Sequence, residues 1–330
     1  MGSIPHVVED CLGILQVYSD GSIFRLSDDQ IDFHNFPIKD DGSVIWKDII
    51  YNNQNKDGKD SLYLRLYKPK CMANKQLPII YFFHGGGFCV GSRVWPNCHS
   101  CCIRLSSVLE TLVIAPDYSL APEYRLPAAM DDAFASIKWL QDQALSNKIT
   151  YDDSWINHDY DRVYVIGDSS GGNIAHHLAL RLGVGSPELA PVRIRGYVLM
   201  APFFGGSVRT KSEEEGPDEP FLNMQILDRF WRLSLPIGAT PDHPLANPFG
   251  PLSPKLQPKK IDPLLVIVGG NELLKDRVEY YASKMKELNE DVHYFEFEEM
   301  QHGFFTNDPF SQVADLVLQE IKCFMCKTSS

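Results

Sequence analysis

Runs of apolar and polar residues change their period several times along the chain, and the changes mark out its elements. Residues 44–51 read as a strand, and Leu62-Tyr63-Leu64-Arg65-Leu66-Tyr67 alternates strictly, which implies one buried face. The polar stretch 52–60 joins these two and predicts an antiparallel hairpin. Leu77-Pro78-Ile79-Ile80-Tyr81-Phe82-Phe83 is apolar throughout, which suits a strand covered on both faces. From there helices and strands take turns. The pattern predicts a helix over 98–109, a strand over 111–117, a helix over 127–145 with Pro near its start, and a strand over 163–167. Strands over 192–200 and 264–268 follow, then a helix over 276–288, a strand over 292–297 and a closing helix over 311–324. Such alternation predicts one α/β domain over residues 1–330, with a mostly parallel twisted sheet of about eight strands and helices on both faces.

Two regions break the rhythm. Residues 5–40 read poorly as part of a regular sheet, although Ser19-Asp20-Gly21-Ser22 looks like a hairpin turn before Ile23-Phe24-Arg25-Leu26. This leading segment is expected to act either as a lid over a pocket or as a surface arm. Residues 205–260 are rich in Pro, Gly and acidic side chains and hold one clear helix, 223–235, carrying Phe230 and Trp231. Long inserts in α/β folds usually form lids or substrate walls. No internal repeat or low-complexity tract is present.

Composition narrows the classes. With 330 residues, 44% of them hydrophobic, the chain can bury one large core. A formal net charge of −12 argues against nucleic acid and anionic membrane surfaces as partners. The N-terminus lacks the basic and apolar regions of a secretory signal, and His6 stands where a myristoylation signal needs Ser or Thr. No apolar run is long enough to span a bilayer and no N-x-[ST] sequon occurs, so the expectation is a soluble cytoplasmic protein, monomeric or homodimeric. The eight cysteines include Cys98-x-x-Cys101-Cys102 and Cys323-x-x-Cys326. A four-thiolate zinc site could use these spacings, but both pairs fall on predicted helices without a glycine knuckle, where free Cys packs as a small hydrophobe. Reduced, structural cysteines are therefore expected, with no metal.

The candidate chemistry centres on Gly167-Asp168-Ser169-Ser170-Gly171, set between an apolar strand and a helix-like run. Strand, G-x-S-x-G and helix is the context of a nucleophile elbow, in which a tight turn projects the serine hydroxyl above the strand end. His84-Gly85-Gly86-Gly87-Phe88 directly follows the buried strand and offers main-chain N–H groups free of side chains. Acyl transfer needs such donors for its oxyanion. The amides of Gly86, Gly87 and Ser170 are the expected donors, with Gly85 a weaker candidate, and His84 is expected to brace the loop. A base should follow the serine in the chain. Of ten histidines, His302, in Gln301-His302-Gly303-Phe304, is the one at a strand-to-helix loop near the C-terminus; His176 and His177 lie on a helix and His293 inside a strand. The orienting acid should follow the strand 264–268, where Glu272 lies in the strand-end loop and Asp276 at a plausible helix N-cap; the cap role already accounts for Asp276, so Glu272 is favoured. The order Ser169, Glu272, His302 is the hydrolase order of nucleophile, acid and base.

With these motifs the chain resembles the plant carboxylesterase family within the hormone-sensitive-lipase-like α/β hydrolases, through His84-Gly85-Gly86-Gly87-Phe88, Gly167-Asp168-Ser169-Ser170-Gly171-Gly172-Asn173 and Tyr118-Ser119-Leu120-Ala121-Pro122-Glu123. The last motif usually carries Arg where Ser119 stands, and the family's acid is usually Asp where Glu272 stands, so the brace behind the oxyanion loop and the acid both depart from the pattern. Val8-Glu9-Asp10-Cys11-Leu12-Gly13, Ala201-Pro202-Phe203-Phe204-Gly205-Gly206 and Phe230-Trp231-Arg232-Leu233-Ser234-Leu235-Pro236 are similar to the branch that includes strigolactone-cleaving carboxylesterases. Other members hydrolyse esters of specialised metabolites, alkaloids included. The resemblance implies an α/β-hydrolase fold with a cap from about 1–40 and about 205–260. It further implies a cofactor-independent serine esterase acting on a small-molecule ester through Ser169, His302 and Glu272. Two rival readings follow from the same resemblance. Gibberellin-receptor-like proteins bind without turnover but lack the catalytic histidine. A lyase, dehydratase or cyclase could use the same pocket, although dehydratase relatives carry Thr at the nucleophile; ester cleavage followed by decarboxylation is a hybrid of the two chemistries.

Overall fold

The computed structural model describes residues 4–33, 38–53, 61–72, 76–146, 155, 158–217, 219, 222–255, 260–288 and 290–329. In chain order β1 (Val7–Cys11), β2 (Leu15–Tyr18) and β3 (Ile23–Arg25) form a small antiparallel sheet of their own. The residues expected to sit poorly in a regular sheet therefore do form one, separate from the main sheet. The turn between β2 and β3 falls at 19–22, closed by Tyr18 N–H donating to Ser22 C=O at 2.9 Å.

The main sheet is built from β4 (Val44–Asn53), β5 (Ser61–Pro69), β6 (Ile79–Phe83), β7 (Leu112–Pro116), β8 (Val163–Asp168), β9 (Ile194–Met200), β10 (Leu264–Gly269) and β11 (Val292–Phe297). Its spatial order is β11-β10-β9-β8-β6-β7-β5-β4. The strands from β11 to β7 are parallel, whereas β5 pairs antiparallel with β7 and β4 antiparallel with β5. The expected hairpin is the β4–β5 edge; most of its connecting loop, 54–60, lies outside the described residues. The helices are α1 (Pro96–Leu109), α2 (Ala128–Leu145), α3 (Ser170–Leu182), α4 (Lys211–Glu215), α5 (Met224–Ser234), α6 (Lys275–Glu287), α7 (Phe304–Asn307) and α8 (Gln312–Thr328).

Period-two alternation divides the core. Ile79, Tyr81 and Phe83 of β6 pack with α2, α3 and α6 on one face, while Ile80 and Phe82 pack with α1 and α8 on the other. All five residues of β6 are buried, as a strand wrapped on both sides requires. From β6 the chain moves to β7 on one side and then crosses to β8 on the other. Strand order thus reverses at β6, and the crevice at such a switch point is where α/β folds bind ligands. Both glycine-rich motifs emerge there.

The two irregular regions are tied to the body by ion pairs. Arg25 of β3 donates to the Glu123 carboxylate at 2.9 and 2.7 Å, to Cys89 C=O at 2.6 Å and to Ala121 C=O at 2.8 Å. Glu9 of β1 accepts from Arg232 at 2.8 and 2.9 Å and from Arg229 at 2.9 Å, both on α5 of the insert. Within the insert, Asn223 caps α5 and Trp231 stacks on Phe203 with ring centroids 4.2 Å apart. Arg277 of α6 clamps the insert through Glu213, at 2.5 and 2.7 Å, and through the carbonyls of Gly205, Gly206 and Val208. Among the described residues no helix is long and apolar enough to cross a membrane.

All eight cysteines are free. Cys98, Cys101 and Cys102 are buried in α1 as expected of packed thiols, but Cys323 and Cys326 are exposed on α8, contrary to that expectation. Their i, i+3 spacing does place them on one helix face, and that face looks to solvent. No cluster of three or more metal-ligating side chains forms among the described residues.

Candidate active site

The elbow is set by register. Phe83 at the end of β6 pairs with Gly167 of β8, so the loop leaving β6 begins beside the turn leaving β8. A β-carbon on Gly167 would stand 2.0 Å from the Gly171 carbonyl oxygen, which excludes any side chain there. Ser169 takes φ 53° and ψ −114°, a conformation that costs of order 1–3 kcal/mol and is held by surrounding contacts. Those contacts are Ser169 N–H to Met200 C=O at 2.9 Å and Phe203 N–H to Ser169 C=O at 2.8 Å. Ser169 is 6% exposed and opens α3, whose N-terminal turn carries the partial positive charge of the helix.

Opposite it, Gly86 has φ +111°, and a β-carbon would lie 2.1 Å from Val90 C=O. Gly86 C=O accepts from the Cys89 and Val90 amides at 3.0 Å, which folds the loop into a tight turn. Among the described residues the Gly86 and Gly87 N–H groups have no protein acceptor. Tyr118 O–H donates to His84 C=O at 2.9 Å and lies 3.3 Å from Ser170 Oγ, joining the glycine loop to the elbow. His84 braces the loop as expected, its Nδ1 2.8 Å from Gly85 C=O and its ring stacked on Tyr118 at 4.3 Å. Burial pushes its pKa below the ordinary value, so it stays neutral. Where Ser119 replaces the family's Arg, Arg25 from the N-terminal sheet ties Cys89 to Ala121 and Glu123.

The acid and base arrive on adjacent strands. Gly270 N–H donates to Phe297 C=O at 2.8 Å and Asn271 N–H to Met300 C=O at 3.0 Å, so the loops after β10 and β11 pack against each other. Glu272 Oε2 stands 3.3 Å from His302 Nδ1, with the Glu272 side chain fully buried and that of His302 12% exposed. The pair sits at ion-pair distance, but its angles fall outside hydrogen-bond geometry, leaving Nδ1 and both carboxylate oxygens without a hydrogen-bond partner. Burial is the largest single influence and would depress the His302 pKa; Glu272 first, with Asp168 and Glu219, together outweigh it and raise the imidazole to about 8. Asp276 is not brought to the imidazole. It lies in the first turn of α6, whose N-cap is Leu274, and its carboxylate accepts from Ser212 N–H at 2.8 Å while its own N–H donates to Ser212 Oγ at 3.2 Å. The cap expected of Asp276 is thus replaced by a tie to α4.

Ser169, His302, Gly85, Gly86 and Gly87 share one cavity of about 460 Å³. Its walls come from β-strand ends, from the N-terminal segment through Leu12, Ile14, Leu26 and Ile31, and from the insert through Glu219, Leu222 and Phe230. A smaller cavity of about 240 Å³ between the insert and α6 includes none of Ser169, Glu272 and His302. His176 and His177 are held away from the cavity, the first bonded to Tyr281 O–H at 2.8 Å and the second 3.3 Å from Leu245 C=O.

Two carboxylates beside the imidazole escaped the sequence reading. Asp168 fills the variable position of the elbow, and burial raises its pKa against the influence of His302. Glu219 belongs to the insert; burial likewise raises its pKa against the influence of His302. No periodicity or spacing distinguishes Glu219 from the other acids of 213–219, whereas Asp168 was visible in the motif without a role.

Residues 80–306 match the family model described as alpha/beta hydrolase fold. Carboxylesterase 20 of Arabidopsis thaliana is 35% identical over 291 residues, covering 82% of this chain and 83% of that protein. The Gibberellin receptor GID1C of the same plant is 34% identical over 245 residues, 72% of this chain and 67% of the receptor. Among solved structures, an esterase from Pyrobaculum calidifontis superposes with a TM-score of 0.69 at 26% identity, covering 88% of this chain and 86% of the esterase.

Proposed function

The chain belongs to the plant carboxylesterases, carboxylic ester hydrolases of the α/β-hydrolase fold, and we propose that it works through a Ser169–His302–Glu272 triad. Ser169 Oγ attacks the ester carbonyl as His302 takes its proton. Glu272 stabilises the imidazolium that forms. The Gly86, Gly87 and Ser170 amides receive the oxyanion, each donor contributing about 3 kcal/mol. His302 then returns the proton to the departing alcohol and afterwards activates the water that releases the acid.

The observation that carries this reading is the Glu272 carboxylate 3.3 Å from His302 Nδ1, behind a cavity that also holds Ser169 and the unpaired glycine amides. The N-terminal sheet and the insert act as the cap, since both supply cavity walls. By its sequence resemblance the substrate is a small plant ester, of a specialised metabolite or a hormone such as a strigolactone. The likeness to a gibberellin receptor favours a second reading, ligand binding without turnover. The His302–Glu272 pair weighs against it, because a pure receptor has no use for a base poised on an acid. Ser169→Ala decides between the two: it should remain folded and lose p-nitrophenyl acetate turnover, and unchanged turnover would reject the mechanism.

A further inference from the structure

Every ionisable side chain lining the cavity, the histidines apart, is acidic. Asp32, Asp168 and Glu219 are among its walls, and no Lys or Arg is found among the described lining residues. Most of the remaining lining is apolar, and Phe33 meets Trp95 edge to face at 5.4 Å, a pair that suits a positive charge as well as an apolar one. A volume of about 460 Å³ lies in the range that encloses a drug-sized molecule. A carboxylate-bearing ligand would enter this cavity facing three acids, with no Lys or Arg to receive it among the described lining residues.

Glu219 gives the charge a position. It is 9% exposed, and its Oε1 is buried without a hydrogen-bond partner. It shares the cavity lining with His302, close enough for the two groups to influence each other's charge. An unpaired buried carboxylate oxygen is costly, and a donor brought by a ligand relieves the cost. Burial holds the carboxyls of both Glu219 and Asp168 above their ordinary values, and a cation arriving beside them would favour their charged forms. In ester hydrolysis the imidazole hands its proton to the leaving alkoxide, so a carboxylate beside His302 is placed to meet the alcohol side of the scissile bond.

Resting on the hydrolase reading above, we propose that the cavity selects esters whose alcohol portion carries a protonated amine, with Glu219 as the counter-ion. The acyl–oxygen bond breaks and the acyl group passes to Ser169 Oγ. The alcohol takes the serine proton through His302 and leaves with its ammonium intact, and water then releases the carboxylic acid.

The test compares dimethylaminoethyl acetate, cationic near neutral pH, with isopentyl acetate, its neutral isostere, on the full chain. Expected is a kcat/KM about tenfold higher for the amine, the discrimination typical of one charge-assisted contact. The ratio should collapse toward one in Glu219→Gln. A wild-type ratio at or below one, or a ratio that Glu219→Gln leaves intact, overturns the proposal. Should that variant misfold, competitive inhibition of the wild type by dimethylaminoethanol and by isopentanol serves instead. The amine should inhibit about tenfold more tightly and weaken with added salt, and equal inhibition overturns the proposal. Absence of Ser169-dependent hydrolysis of both esters refutes the hydrolase reading itself, and is recognised separately by the Ser169→Ala control.

Discussion

Glu272→Gln removes the charge behind the base while keeping its shape, and the structure sets the scale of the effect. The His302 pKa rises from 6.5 to about 8 although burial pulls it down, so the surrounding acids, Glu272 foremost, favour the imidazolium by at least ~2 kcal/mol. The same imidazolium forms in the transition state, so loss of the foremost of these acids should cost kcat/KM on the order of 30-fold. If the Gln amide also turns the ring to the wrong tautomer, the loss should approach ~10⁴. The assay is kcat/KM for p-nitrophenyl acetate across a range of pH. In the wild type, activity should rise as His302 loses its proton through a pKa of about 8. In the variant that midpoint should fall, because burial is then opposed only by Asp168 and Glu219. Asp276→Asn is the matched control: its carboxylate accepts from Ser212 N–H, so the midpoint should not move. A Glu272→Gln enzyme with unaltered midpoint and full activity would refute the assignment of the acid, and a shifted midpoint in Asp276→Asn would transfer the role.

The raised His302 pKa also carries stability, which is fully present below 6.5 and lost as pH rises through about 8. Urea unfolding should show ~2 kcal/mol less stability from this source at about pH 9 than at about pH 6, and Glu272→Gln should abolish the loss. Gly87→Ala forces a side chain to φ +59° with its β-carbon 2.2 Å from Phe230 Cδ2, so the loop must shift and kcat should fall by about 10²–10³; full activity would show that the Gly87 amide is not a donor. The Glu9 carboxyl is held below 4.5 chiefly by its hydrogen bond to Arg232, so the latch between β1 and α5 persists above that value and fails as pH falls through the folded pKa. Glu9→Gln should release the N-terminal sheet at neutral pH, read as faster limited proteolysis of residues 7–25 at a stability cost of about 1 kcal/mol or less.

The parts of the fold that could be read from the chain are those whose burial is imposed from two sides. β6 is apolar throughout, and β8 is apolar up to its closing Gly167-Asp168, because helices cover both faces, and their glycine-rich exits could be placed at strand ends from the motifs alone. The N-terminal sheet was harder to see because it is largely held by long-range polar contacts. Arg25 reaches Glu123 across 98 positions and Glu9 reaches Arg232 across 223, distances that no local pattern records. Asp276 was misread for a related reason: its position in the first turn of a helix suggested a cap, but its partner, Ser212, comes from the insert. Cys323 and Cys326 share a helix face as their spacing requires, yet spacing does not say which face meets the sheet.

The same distinction separates the reaction from the substrate. The reacting groups ride on strand ends whose order and loop composition are visible in the chain, since each must leave the sheet at one edge. What the enzyme accepts depends instead on side chains delivered by segments that fold onto that edge from elsewhere: Leu12 and Ile14 from the N-terminal sheet, Glu219 and Phe230 from the insert. These positions carry no motif, because a wall is defined by what it encloses and not by its neighbours in sequence. Glu219 is the sharpest case. It stands among several acids of 213–219, and it differs from the buried Glu213 by lining the cavity with one carboxylate oxygen short of a hydrogen-bond partner. In the selectivity proposed above, the carboxylate that meets the cation of the alcohol is also one of the acids that raise the imidazole's pKa, so recognition and proton transfer share one side chain.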